Sequence, residues 1–227
     1  MEYAPTTYDK ISEGYEQSES ASKRKNIVKD EFKLFLQNEK PNSLLDLGCG
    51  TGVFAVIAKQ SGAKKVVGID ISLEQIKAAQ IKAQSLGLEI EYLVQDNTHI
   101  EIREQFDAIS SIFGFCYAPS QKILREQLKS TCMHLKTKGS IFAVVSHPDH
   151  PTRDWGESYR VYAQGPVVDG TKLRCDFLLD GKVLATDYKF YWNKKTWESA
   201  LSEAGLVNVV WKEFDEHSTN IILKASK

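Results

Sequence analysis

The sequence predicts a doubly wound α/β fold: a mostly parallel sheet covered by helices on both faces, interrupted by an antiparallel lid after the fifth strand. Three observations carry this expectation. Short apolar runs alternate with helical segments between residues 42 and 146, the pattern of strands joined by crossover helices. A glycine-rich stretch, "LDLGCGTG" at residues 45–52, joins the first strand to the helix after it. After His147 the alternation stops, and two long strand patterns flank Asp180-Gly181, a favoured hairpin turn pair.

The elements follow in order. Residues 8–39 read as helical with a break near Gly14 and the serine-rich "SESAS". Within "RKNIVKDEFKLFLQ", Ile27, Val28, Phe32, Phe35 and Leu36 share one helical face, and Pro41 ends the element. "SLLDL" is the first strand, residues 53–61 a helix, "KVVGID" the second strand and 73–86 a helix stopped by Gly87. "EIEYLVQ", "FDAISSIF" and "SIFAVVS" are the third to fifth strands, with a helix at 120–135 before the last. Beyond the hairpin, a helix at 194–204 ends at Gly205, and strands are expected near 206–214 and 219–225. The chain thus reads as one domain over 1–227, with an N-terminal helical cap (1–41) and an inserted lid or substrate region (147–192).

Composition narrows the function classes. The chain has 227 residues, is 42% hydrophobic and carries a formal net charge of −1, so it can bury a sizeable core without covalent staples. Near-zero charge removes the electrostatic case for nucleic acid as the main partner. No apolar run approaches membrane-spanning length, and the N-terminus lacks the pattern of a secretory signal. Cys49, Cys116, Cys132 and Cys175 form no C-x-x-C pair; four reduced thiols in a cytoplasmic protein are expected.

The glycine loop defines the ligand. Ligands of open parallel sheets sit beyond the carboxyl ends of the strands, where glycines permit positive φ and close backbone approach. Dinucleotide sites use G-x-G-x-x-G; here Gly48, Gly50 and Gly52 are spaced G-x-G-x-G, and Val53 stands where the third dinucleotide glycine would be. Asp46, just before the loop, suits a ligand ammonium better than a pyrophosphate. Asp70, ending "GID", is placed for both hydroxyls of a ribose, and Asp96, in "VQDNT", for an exocyclic adenine amine. Asp70 and Asp96, taken singly, could each also be a helix N-cap. Together they describe a ligand with an amino group, a ribose and an adenine, and no need of phosphate.

That description matches S-adenosylmethionine, and over residues 42–146 the chain resembles the class I S-adenosylmethionine-dependent methyltransferases. "LDLGCGTG", "GIDIS" and "QDNT" stand as the family's first three motifs, in order. The resemblance implies a Rossmann-like, seven-stranded sheet with an antiparallel last strand. It implies that Gly48, Cys49 and Gly50 line the methionine portion, that Asp46 bonds its ammonium directly or through water, and that Asp70 holds the ribose diol. Ile71 would cover one adenine face, Asp96 with Asn97 would meet its edge, and Ser111 and Ile112 would close the other side. Gln75 stands where many members have a methionine against the adenine. "YDKISEGYEQ" and "YWNKKTWESALSEAGL" also look like segments of toxoflavin-type azapteridine N-methyltransferases, a hint toward a nitrogen heterocycle.

Several candidates have two readings. Tyr8 and Tyr15 could fold over the pocket, Tyr15 toward the sulfonium or the acceptor, or pack as helix core. Arg24 could reach the methionine carboxylate or lie on a solvated face. His147, at the rim after the fifth strand, is the candidate general base by position and ordinary pKa. His147, Asp149 and His150 do not have convincing metal spacing, so no metal is expected. Tyr188, Phe190 and Trp192 alternate on one strand face and read as packing between lid and sheet; Phe113, Phe115 and Tyr117 carry the same ambiguity nearer the chemistry. The expected reaction is methyl transfer to a nitrogen or oxygen of a small heterocyclic metabolite by in-line displacement. The alternatives are a catalytically silent S-adenosylmethionine-binding partner or sensor, and a nicotinamide or nucleotide-sugar enzyme, which the glycine spacing disfavours.

Overall fold

The computed structural model describes residues 23–154, 159–213 and 218–227, with no side-chain description for 23–25. The first described element, helix α1 (Lys23–Glu39), buries Val28, Phe32, Phe35 and Leu36, the i, i+4, i+7, i+8 stripe of one helical face. Phe32 lies 5.2 Å from the Phe142 ring and 5.4 Å from that of Phe54, so the stripe clamps the helix onto the sheet. Burying such a ring contributes roughly 1.5–3 kcal/mol. Tyr8, Tyr15 and the side chain of Arg24 lie outside the described residues.

Five parallel strands follow: β1 (Ser43–Leu47), β2 (Lys65–Asp70), β3 (Glu91–Val94), β4 (Phe106–Ile112) and β5 (Leu135–Ser146). Between them run α2 (Val53–Gln60), α3 (Leu73–Ser85) and α4 (Gln121–Met133). Ser72 and Ser120 cap α3 and α4 by accepting the amides of Gln75 and Ile123, which fixes where each helix leaves its strand. After α5 (Lys194–Glu203), β10 (Val207–Lys212) and β11 (Asn220–Ser226) complete the sheet. Its order is β10-β11-β5-β4-β1-β2-β3. Strand β11 runs antiparallel between β5 and β10, so the expected seven-stranded, mostly parallel sheet is present.

Period-2 alternation divides the core. Leu45, Leu47, Val67, Ile69, Ile109, Ile141 and Ala143 face α4 and α5, whereas Leu44, Val66, Ala108, Phe142 and Val144 face α1, α2 and α3. Strand β5 starts earlier than expected: its pairing with β4 shifts between Phe106 and Ala108, and Lys138 adopts φ 67°.

A second sheet is inserted between β5 and α5, ordered β6 (Arg153–Asp154), β7 (Tyr159–Tyr162), β8 (Lys172–Leu179), β9 (Lys182–Phe190) and wholly antiparallel. Asp180 and Gly181 both adopt positive φ (50° and 74°), as a tight type I′ hairpin turn needs. One face is largely apolar: Val161, Leu173, Cys175, Phe177 and Ala185 pack with Tyr191, and Asp187 and Lys189 interrupt it on β9. The aromatic alternation does not hold here. Tyr188 points outward under the Lys172 ammonium, 4.1 Å from its ring centre. Trp192 lies past the end of β9, joins the main core, and donates from Nε1 to Ala118 O at 3.2 Å. The chain leaves its pleat at Tyr191, whose hydroxyl donates to Pro148 O at 2.6 Å, so residues 188 and 192 belong to different packing layers.

Candidate active site

Strand β1 is the point where the sheet changes direction: β2 and β3 build outward on one side, β4 and β5 on the other. Such a switch opens a crevice beyond the strand ends, and the glycine loop leaves β1 there. Gly48, Gly50 and Gly52 have φ of 65°, 52° and 75°, a region that penalises any side chain with a Cβ. A Cβ on Gly52 would fall 2.3 Å from the Tyr92 hydroxyl oxygen, and one on Gly48 would fall 3.2 Å from Gly114 Cα. The loop is therefore packed backbone to backbone against the turn that follows β4.

Asp70 ties this loop down. Its Oδ2 accepts the Gly50 amide and its Oδ1 the Ser72 amide, each at 2.9 Å. The half-buried carboxylate at the tip of β2 thereby holds the loop on one side and the start of α3 on the other. Ile71 follows it, also half-buried. Asp96, after β3, folds on itself: Oδ1 accepts both the amide and hydroxyl of Thr98 at 2.7 Å. The Asn97 amide nitrogen lies 3.4 Å from where a Gly114 Cβ would be and 3.9 Å from one on Gly48, so it overhangs the junction of loop and turn.

Asp46 lies behind the loop, not in front of it. Its register neighbours on the sheet are Ser110 and Gly68, and the next neighbour is Tyr92. The carboxylate is 1% exposed, with Oδ1 accepting the Ser110 hydroxyl at 2.7 Å and Oδ2 buried with no protein hydrogen bond. Burial is the main cause that pushes its pKa up to about 7, against the Ser110 hydrogen bond and the nearby Ala55 amide; Asp70 raises it further. The expected bond to a ligand ammonium, direct or through water, thus falls to a carboxylate that sits behind the loop backbone with Oδ2 unpaired by protein. Cys49 is similarly buried, and burial raises its thiol pKa well above the usual range. Gln75 is buried too; its Oε1, without a protein partner, lies 3.7 Å from where a Gly50 Cβ would be. Ser111 and Ile112 are also buried, Ile112 within the α1-facing core.

His147, the candidate base, lies directly after β5 with its ring turned inward. The ring is 2% exposed, and Nδ1 accepts the amides of Asp149 and His150, each at 3.1 Å. Accepting there requires Nε2 to carry the proton in the neutral ring, so neither nitrogen offers a lone pair. Nε2 is 3.4 Å from Glu213 Oε1 without hydrogen-bond geometry. Burial, then His150, lowers the pKa, which favours the neutral form. His147 holds the chain turn after β5.

Residues that the sequence left ambiguous or unmarked gather beyond β4. Phe113 adopts φ 67°, strained for an aromatic residue and of the kind that collects at functional sites. A 3-10 turn, Gly114–Tyr117, follows, and Tyr117 donates its hydroxyl proton to Asp187 Oδ2 on β9. Asp187 shares the inward face of β9 with Ala185 and the buried Lys189, whose Nζ donates to Asn220 Oδ1 at 3.2 Å. The only trace in the sequence is charge at two positions of the lid hairpin's inward face. The partner is 70 residues away in the chain.

Comparison with known proteins agrees with this geometry. Residues 44–139 match the family model described as a methyltransferase domain. A demethylmenaquinone methyltransferase of Thermus thermophilus is 32% identical over 127 residues, 55% of this chain and 56% of that protein. A ribosomal protein L11 methyltransferase of Burkholderia cenocepacia is 39% identical over 61 residues, 26% of this chain and 20% of that protein. The chain thus spans about half the length, or less, of these curated relatives. An S-adenosylmethionine-dependent methyltransferase from Clostridium acetobutylicum superposes with a TM-score of 0.75 at 19% identity, covering 96% of this chain and 98% of that one. A sugar N-methyltransferase from Streptoalloteichus superposes with a TM-score of 0.72 at 14% identity, covering 100% and 95%.

Proposed function

We propose that this chain, a class I S-adenosylmethionine-dependent methyltransferase by motif and fold, transfers a methyl group to a nitrogen or oxygen of a small, heterocyclic acceptor. The observation that carries this reading is the set of acids at successive strand ends around a glycine loop held at positive φ. The residues fit the cofactor: the Asp70 carboxylate, at the tip of β2 and bonded to the Gly50 and Ser72 amides, would accept the ribose hydroxyls. Asp96 Oδ2 and the Asn97 side chain would meet the adenine edge, with Ile71 against its face. The backbone of Gly48, Cys49 and Gly50 would line the methionine portion, Asp46 acting from behind it. Tyr8, Tyr15 and Arg24 are proposed to complete the cover from the N-terminal segment, and the second sheet to serve as the lid over the acceptor.

Bound S-adenosylmethionine supplies an electrophilic methyl group on a sulfonium. What the chain contributes is alignment of the acceptor opposite the leaving sulfur and exclusion of water. The apolar face of the second sheet suits both tasks. Among the described residues no helix is long and apolar enough to cross a membrane. The acceptor's heterocyclic character rests on the two short segment resemblances, and a small-molecule acceptor is also what the Streptoalloteichus neighbour's name describes.

The test is calorimetric titration with S-adenosylhomocysteine and, separately, with NAD. Binding of the first alone is expected. Preference for NAD, or no binding of S-adenosylhomocysteine at millimolar concentration, refutes the assignment. Release of S-adenosylhomocysteine in turnover separates an enzyme from a silent binding protein.

A further inference from the structure

We propose that binding at the cofactor site draws a proton out of Asp46: its carboxyl group is neutral before binding and ionises when a ligand ammonium settles before the glycine loop. This rests on the reading of the crevice as the S-adenosylmethionine site. It makes cofactor binding proton-coupled, and only for ligands that carry an amine.

The geometry isolates this carboxyl group. Asp46 is 1% exposed; Oδ1 has the Ser110 hydroxyl at 2.7 Å, and Oδ2 is buried without a partner. Its sheet neighbour Gly68 has no side chain, and the Tyr92 ring and Cys49 Sγ fill that space, 2.7 and 3.0 Å from where a Gly68 Cβ would be. Among the described residues, the titratable groups that act on Asp46 are Cys49 in the loop, Asp70 on β2 and Tyr92 on β3. All three are acids. Strand β4 supplies only the Ser110 hydroxyl, and the first turn of α2 the Ala55 amide. On α3, Lys82 reaches the loop at Thr51 Oγ1, 3.2 Å away, and does not pair with Asp46. Asp46 makes no ion pair among the described residues.

A buried carboxylate with no cation and one unbonded oxygen is costly, and the neutral acid avoids that cost. The raised pKa of Asp46 agrees with this. A ligand ammonium reverses the balance. Gly48 follows Asp46 by two residues, about 7 Å of extended chain, and a charge at that range acts more strongly across a dry wall than through water. On binding, the Asp46 O–H bond breaks, its electron pair stays on oxygen and the proton passes to the buffer. The sign follows from linkage. Below the unliganded pKa of about 7, binding has to expel the proton, so affinity falls as pH falls and levels off above 7.

The test is calorimetric titration of the full chain with S-adenosylhomocysteine at pH 6.5 in buffers of different ionisation enthalpy, which counts protons released per ligand bound. About half a proton or more is expected. 5′-Methylthioadenosine keeps the nucleoside and thioether but lacks the amine and carboxylate, and should bind without releasing a proton. Asp46→Asn should bind S-adenosylhomocysteine and release none. From pH 7 to 5.5 the wild-type Kd for S-adenosylhomocysteine should rise about tenfold, and that for 5′-methylthioadenosine should stay level. The proposal is overturned if S-adenosylhomocysteine releases no proton, if 5′-methylthioadenosine releases as much, or if the release persists in Asp46→Asn. Should that variant not fold, the two ligands compared on the wild-type chain decide the matter. Binding of S-adenosylhomocysteine without proton release rejects this proposal alone; absence of that binding in the wild-type chain rejects the methyl-transfer reading itself.

Discussion

Asp70 is the most informative residue to perturb, because one carboxylate serves the loop, the helix start and the proposed ribose. Replacing it with Asn keeps the shape but removes the charge and turns one of its two acceptors into a donor. That NH2 would then face either the Gly50 or the Ser72 amide, both now bonded at 2.9 Å. Hydrogen bonds to a charged group contribute about 1.5–3 kcal/mol. Because Asp70 is half-buried, water can partly replace what is lost, and the lower end applies. A loss of about 2 kcal/mol in stability should lower Tm by about 4–8 °C in a chain of this size. Loss of the ribose contact adds to this on binding, so S-adenosylhomocysteine Kd should rise about 10–100-fold, or about 1.4–2.8 kcal/mol. Calorimetry on Asp70→Asn and Asp70→Ala, with thermal melts on the same samples, reads both quantities. Affinity within twofold of wild type in both variants would refute the placement of the cofactor at this strand end. A fall in Tm without a change in affinity would assign Asp70 to the loop alone.

Two further outcomes are expected. Gly52→Ala places a Cβ 2.3 Å from the Tyr92 oxygen at φ 75° and should destabilise by more than 2 kcal/mol; adding Tyr92→Phe should recover part of this and leave the backbone penalty of about 1–2 kcal/mol, as urea denaturation will show. The second concerns pH: the folded pKa of Asp46, about 7, lies above its ordinary 3.8. The folded state therefore binds the extra proton between these values, and the associated stability, complete below pH 3.8, declines as pH rises toward 7. From pH 5.5 to 8 this amounts to about 2 kcal/mol at about 1.4 kcal/mol per pH unit, and Asp46→Asn should abolish that part of the slope; an unchanged slope in the variant contradicts the burial argument.

Much of this protein was legible along the chain because the signals are local. Strand and helix periods and the Asp180-Gly181 turn act within a few residues, and over the described residues from 43 on the structure shows the elements they predict, with β5 beginning earlier than expected. The glycine loop and its neighbouring acids are equally local, since each motif follows the end of its own strand. The antiparallel last strand came only through resemblance to a family, and the order of strands across the sheet was not legible in the chain.

Contacts between distant segments were not legible. Whether a carboxylate faces a crevice or the inside of a wall depends on sheet register: Asp46 beside Ser110 and Gly68 is sealed, while Asp70 at a strand tip is not. His147 has an apt ordinary pKa, yet the turn after it commits one nitrogen and burial covers the other. The Tyr117–Asp187 pair spans 70 residues and exists only because a separate sheet folds its inward face over the turn after β4. Residue type and short-range spacing set what each segment becomes; which groups meet, and which stay open to a ligand, is decided by packing, because burial and hydrogen-bond partners belong to neighbours in space.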